Sequence, residues 1–240
     1  MFLRMAIACL IFINCSFAET KKMESKEELY LHLKSAFKNP TDDPKLPRVL
    51  LIGDSISIGY TVPVRKLLNG KVNVHRIPTN GRYASYGVQN LQKWLGDKKW
   101  DVIHFNWGLW DICYRHPESK NQGNRDKVNG KLTATPEEYK KDMESLVAEL
   151  KKTGAKLIWC ETTPVPEGEV GRKVGDEVKY NEIANEIMKK NGIQINHLHA
   201  HAQKKLPEIA KKPGDVHYTP AGSQYLAEKV VEEIQKALVK

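Results

Sequence analysis

Five short apolar runs, at residues 48–53 (RVLLIG), 71–77, 101–105, 156–160 and 194–198, alternate with longer stretches patterned for helices. Apolar runs of this length without polar alternation read as strands buried on both faces, the state of a parallel sheet with helices above and below it. The helical patterns fall at 63–68, 86–95, 136–152, 178–190 and 220–238. Two carry clear start signals, since Thr135-Pro136-Glu137-Glu138 and Thr219-Pro220 each set a capping hydroxyl before a proline in the first turn. Strand and helix in alternation predict a three-layer α/β domain with right-handed crossovers.

The chain of 240 residues is 40% hydrophobic, with five Trp and nine Tyr, which is too rich for a disordered polymer; its 12 Pro argue against a coiled coil or collagen-like repeat. Residues 1–18 stand apart. Arg4 precedes an apolar stretch from Met5 to Phe12, and Ser16-Phe17-Ala18 sets small residues where a signal peptidase reads. Cleavage is expected after Ala18, which sends the mature chain out of the cytoplasm. The stretch falls short of the roughly 20 residues that span a bilayer, and no later segment could span one. Residues 19–44 read as an N-terminal helix, with Leu29, Leu33 and Phe37 on one face, and a Pro- and Asp-rich linker; residues 45–240 form the α/β domain.

The formal charge of +9 loses only Arg4 on cleavage. Lysine pairs scattered along the helical patterns carry much of it, with no basic stripe interleaved with aromatics, so nucleic acid is not an expected partner and an acidic polysaccharide stays compatible. Beyond the signal only Cys113 and Cys160 remain. Two cysteines do not make a disulfide scaffold, although one bridge and two buried thiols both fit.

Ligands of open α/β sheets bind outside the carboxyl ends of the strands. After the first run stands Gly53-Asp54-Ser55, where a serine in a tight strand-to-helix turn exposes its hydroxyl among outward-pointing N–H groups. The flanking residues do not make the G-x-S-x-G elbow. Near the other end, Gly214-Asp215-Val216-His217 precedes the last helix, and a histidine with a nearby carboxylate can act as general base. Two long loops, 113–133 and 165–175, emerge on the same side, as lids or binding surfaces do.

Together, Gly53-Asp54-Ser55, Gly81 after the second run, Gly108-Leu109-Trp110-Asp111 after the third, and Asp215 with His217 resemble the four blocks of the SGNH hydrolases, the GDSL-type esterases. The resemblance spans about residues 48–239 and includes Tyr180-Asn181. It implies a flavodoxin-like fold with a five-strand parallel sheet in the order 2-1-3-4-5, and ester hydrolysis without a metal or other cofactor. It makes Ser55 the nucleophile, His217 the base and Asp215 its orienting acid. The N–H groups of Ser55 and Gly81 become oxyanion donors, and Asp54 is structural.

Two positions depart from the family pattern. The third block usually carries Asn where this chain has Trp110; the indole N–H, Asn106 or Asn80 can supply the missing donor. The acid usually stands three residues before the histidine, at Gly214 here, whereas Asp215 stands two before. The implied activity is that of an exported serine esterase, with an O-acetyl group on a carbohydrate as the favoured substrate and Trp107, Trp110 and Tyr83 as candidate sugar contacts. A lipid or aryl esterase, or a glycan-binding relative that kept the fold, are the alternatives. A rival signal is the run His197, His199, His201, whose spacing on a strand end could gather imidazoles around zinc; the run lacks a carboxylate or cysteine, which favours a polar strand end.

Overall fold

A computed structural model describes residues 34–118 and 124–239. The strands are β1 (Arg48–Ile52), β2 (Asn73–Arg76), β3 (Val102–Phe105), β4 (Tyr114–Arg115), β5 (Lys131–Leu132), β6 (Lys156–Cys160) and β7 (Gln194–Asn196). Five of them form one parallel sheet in the order β2-β1-β3-β6-β7, while β4 and β5 pair antiparallel in the long loop after β3. Without that inserted hairpin the order is the expected 2-1-3-4-5.

The helices are α1 (Ser55–Leu67), α2 (Ala84–Leu95), α3 (Pro136–Lys152), α4 (Asp176–Lys190), the short α5 (Leu198–Gln203) and α6 (Leu206–Ile209), and α7 (Pro220–Val239). On one face of the sheet α7 packs along α1 and against β3, β6 and β7; α2, α3 and α4 pack side by side. Right-handed crossovers put this second group on the opposite face. The four residues of β3 and Val49–Ile52 of β1 are all buried, because neither face of the sheet meets water.

Two boundaries stand apart from the sequence expectation. The first helix begins at Ser55 rather than 63, because Asp54 Oδ1 accepts the Ile56 N–H at 2.9 Å and caps it; Pro63 lies inside. At the last strand the run ends at Asn196, and His199 and His201 belong to α5. The expected signal sequence and the N-terminal helix as far as residue 33 lie outside the described residues; residues 34–36 are helical.

The linker before β1 is tied down along the open edge of β2. The Asn39 side-chain amide donates to Arg76 O (3.0 Å) and its Oδ1 accepts the Arg76 N–H (2.9 Å), as a paired strand would. Asn73 reaches the other way, donating to Asp43 O and Leu46 O and accepting from the Asp43 N–H. Asp42 is clasped by His75 and Arg48. Among the described residues no helix is long and apolar enough to cross a membrane.

Candidate active site

Ser55 is the first residue of α1, so its N–H is among those at a helix start that have no intrahelical acceptor. Its hydroxyl lies 2.9 Å from His217 Nε2. On the far side of the ring, Nδ1 lies 2.6 Å from Asp215 Oδ1, and the same oxygen accepts the His217 backbone N–H at 3.0 Å. With Nδ1–H donated to the carboxylate, the neutral ring presents Nε2 to Ser55 as an acceptor. Burial alone would raise the Asp215 carboxyl; the two bonds from His217 outweigh it and hold the group below its usual range.

The two-residue spacing of acid and base has a steric cause. Gly214, where the family pattern has its acid, sits at φ +70°, and a Cβ there would lie 2.8 Å from the carbonyl oxygen of Gly168. A side chain is excluded on both counts. The carboxylate stands one residue later and reaches the imidazole through a turn closed on its own backbone. That segment is stapled by Lys211 N–H to His217 O (2.8 Å) and Thr219 N–H to Ile209 O (2.9 Å).

The expected oxyanion donors divide. Gly81 lies against the nucleophile turn, but its N–H donates to Gly53 O at 2.9 Å and is committed in this geometry. Asn106 departs from expectation: its Nδ2 donates to Cys160 O (2.8 Å) and Thr162 Oγ1 (3.2 Å), fastening the ends of β3 and β6 and leaving neither hydrogen free. Asn80 Oδ1 accepts the Arg82 N–H at 2.9 Å. Trp110 is half-buried with its ring under the Arg115 guanidinium (4.7 Å), and its indole N–H makes no hydrogen bond among the described residues.

Trp107 also departs from expectation, being fully buried rather than a sugar platform. Its ring packs against Gly87 of α2, where a Cβ would come within 2.6 Å, and its indole N–H donates to Gly81 O at 3.2 Å. Tyr83, which precedes α2, is half-exposed with its ring edge-on to Tyr86.

Of the groups that hold these loops together, the sequence reading named Asp111 and Asn181 without a role and missed Arg76, Glu169 and Arg172. Arg76 is buried without a carboxylate partner and donates to Gly53 O (3.1 Å), Thr79 O (2.7 Å), Ile77 O (3.2 Å) and Ser57 Oγ (2.5 Å), binding the nucleophile turn to the loop after β2. Burial lowers its pKa to about 10. Asp111 Oδ1 accepts the Ala84 N–H at 2.8 Å, while its other oxygen is buried without a partner; burial raises this carboxyl to about 8. Across the two long loops, Glu169 is fully buried between Arg125 (2.7 Å) and Arg172 (3.0 Å), and Arg172 Nε–H donates to Leu109 O. Asn181 brackets Thr162, accepting its N–H at 2.7 Å and donating to its carbonyl at 2.9 Å. A charged residue inside an apolar strand was the available signal for Arg76.

The histidine run does not converge. His197 meets Glu161 (2.9 Å), His199 faces Glu177 (3.6 Å), and His201 stacks on Tyr225 at 4.0 Å. Cys113 and Cys160 are free thiols, both buried, and burial pushes both upward in pKa.

No family model and no curated protein sequence matches the chain. Solved structures match its fold. A lipase/acylhydrolase from Enterococcus faecalis superposes with a TM-score of 0.65 at 18% identity, over 80% of this chain and 96% of that one. An acetylxylan esterase from Geobacillus stearothermophilus gives 0.63 at 19% identity, over 78% and 94%. A protein from Slackia heliotrinireducens assigned to the SGNH hydrolases gives 0.57 at 19%, over 79% and 100%. The fold is that of the SGNH hydrolases and their esterase and lipase members; at these identities the likeness is one of fold.

Proposed function

We propose that the protein is a serine esterase of the SGNH type that removes O-acetyl groups from a carbohydrate, outside the cytoplasm once its signal sequence is cleaved. The observation that carries this reading is the continuous relay from Ser55 Oγ through both nitrogens of His217 to Asp215. Ser55 Oγ attacks the ester carbonyl as His217 Nε2 takes its proton, and Asp215 stabilises the imidazolium formed. The tetrahedral intermediate collapses as His217 returns that proton to the departing alcohol. Water, deprotonated by the same nitrogen, then attacks the acyl-enzyme; acetate leaves and Ser55 is restored.

The oxyanion is met by the Ser55 N–H at the start of α1 and, in this reading, by the indole N–H of Trp110, the donor left uncommitted when Asn106 is tied to β6. The acetylxylan esterases among the solved structures of this fold support acetyl as the acyl part.

The test is intact-mass spectrometry after incubation with a fluorophosphonate, on the wild type, Ser55→Ala and His217→Ala, followed by release of acetate from acetylated xylo-oligosaccharides. One adduct on the wild type and none on either variant supports the reading. No adduct on folded wild-type protein overturns it in favour of a binding protein.

A further inference from the structure

Three cations at the carboxyl end of the sheet lie face-on against aromatic rings: Arg82 over Tyr86 (4.7 Å), Arg115 over Trp110 (4.7 Å) and Lys173 over Tyr114 (4.5 Å). All three adjoin the loops around Ser55. Arg82 follows Gly81, whose N–H is bonded to Gly53, two residues before the serine. Arg115 is near enough to Tyr83 and Arg172 to interact electrostatically with both, and Arg172 is fastened to Leu109 O and acts on the Asp54 carboxyl beside Ser55. Lys173 stands two residues from Gly171, whose carbonyl accepts the Tyr114 N–H at 2.7 Å.

The acids of these loops are largely engaged. Glu169 is shared by two guanidinium groups, Asp126 accepts the N–H groups of Val128 and Asn129, and Asp215 serves His217; Glu118 and Glu167 are exposed. Arg82 and Lys173 make no ion pair among the described residues. Arg82 is also the one non-glycine described residue in the left-handed region, at φ +53°, held there by Asn80. Backbone strain of this kind marks positions whose side-chain direction matters.

A cation lying on a ring face covers that face against a sugar, and Arg82 and Lys173, without an ion pair among the described residues, keep their N–H groups for a ligand. What the rim offers is therefore positive charge with N–H donors that suit carboxylate or sulfate oxygens. We propose that the alcohol part of the substrate is an anionic saccharide whose carboxylate or sulfate is bound by Arg82 and Lys173, with Arg115 adding to the positive field. This rests on the esterase reading of Ser55.

The experiment compares kcat/KM on O-acetylated uronate oligosaccharides, acetylated sulfated oligosaccharides and neutral acetylated xylo-oligosaccharides, at low and high salt, with 4-nitrophenyl acetate as the charge-free reference. Calorimetry with the deacetylated uronate and sulfated oligosaccharides runs alongside. The wild type is expected to prefer one anionic ester by about tenfold or more, to lose that preference in high salt, and to lose it in an Arg82→Gln/Lys173→Gln variant of unchanged circular dichroism, while Arg82→Lys retains it. A wild type that favours the neutral ester, or a preference that survives the double substitution, overturns the proposal. If nothing is hydrolysed, the reference ester included, the esterase reading fails and calorimetry decides alone: saturable, salt-sensitive binding of an acidic oligosaccharide supports the anion site, and its absence overturns it.

Discussion

The buried indole N–H of Trp107 donates to the carbonyl oxygen of Gly81, so the loop after β2 hangs from the loop after β3. Trp107→Phe keeps most of the ring packing and removes that bond. A neutral hydrogen bond of this kind contributes about 1 kcal/mol, so Tm should fall by roughly 2–4 °C. If the bond positions the active loop, kcat on an acetyl ester falls more than KM rises; steady-state kinetics beside calorimetry separates the two.

Trp110→Phe tests the second oxyanion donor. Phenylalanine still gives Arg115 a ring to lie on and lacks the N–H. Loss of one such donor typically lowers kcat by about 10²–10³-fold with little change in KM. Unchanged kcat would move the role away from Trp110, with the uncommitted Nδ2 of Asn80 the next group to examine.

Asp215→Asn leaves the turn intact, since the amide oxygen can still accept the His217 N–H, but it removes the charge facing the ring. Asparagine can also select the wrong imidazole tautomer. A fall of about 10⁴-fold in kcat is expected, with fluorophosphonate labelling slowed in parallel.

Glu169→Gln leaves Arg172 buried without a counter-charge and frees Arg125. Breaking a buried pair from one side costs about 3–5 kcal/mol, which for a chain of this size is a loss of roughly 10 °C or more in Tm. A replacement of both Glu169 and Arg172 by methionine should be less damaging than the single change, and scanning calorimetry of the two variants reads the difference.

Asp111→Asn is expected to stabilise the protein, and increasingly so as pH rises. With its carboxyl raised to about 8, folded Asp111 keeps its proton while the unfolded chain loses it near the ordinary value of 3.8. Below that lower value both states are protonated and the site costs nothing. Between the two values the folded state binds more protons, so stability declines with pH, and the decline ends above about 8. Asparagine resembles the protonated acid and does not titrate. The Tm difference between variant and wild type should be near zero at pH 4 and reach roughly 3 °C or more by pH 7.5.

The strands were legible because burial on both faces leaves no polar alternation, and Val102–Phe105 of β3 shows this plainly. The start of α1 was not, since Ser55-Ile56-Ser57-Ile58 alternates as a strand would and the cap that starts the helix is one carboxylate bond. Ser55, His217 and Asp215 were legible from local motifs, and the alternate spacing of the last two anticipated their contact. The donors were not. Whether Asn106 is free depends on Cys160 and Thr162, over fifty residues away, and whether Trp107 is buried depends on the bare backbone of Gly87. Composition and period carry no information on such pairings across the sheet.

The amide of Asn39 has a bearing on how the chain keeps in solution. By pairing with both backbone groups of Arg76 it closes part of the outermost strand edge of the sheet, with Asp43 and Leu46 closing more through Asn73. An unpaired edge is a template for another chain. A protease that clipped the chain between Asn39 and Pro47 would spare every residue of the candidate active site and still expose that template, so the stretch ahead of β1 guards against self-association as well as leading into the sheet.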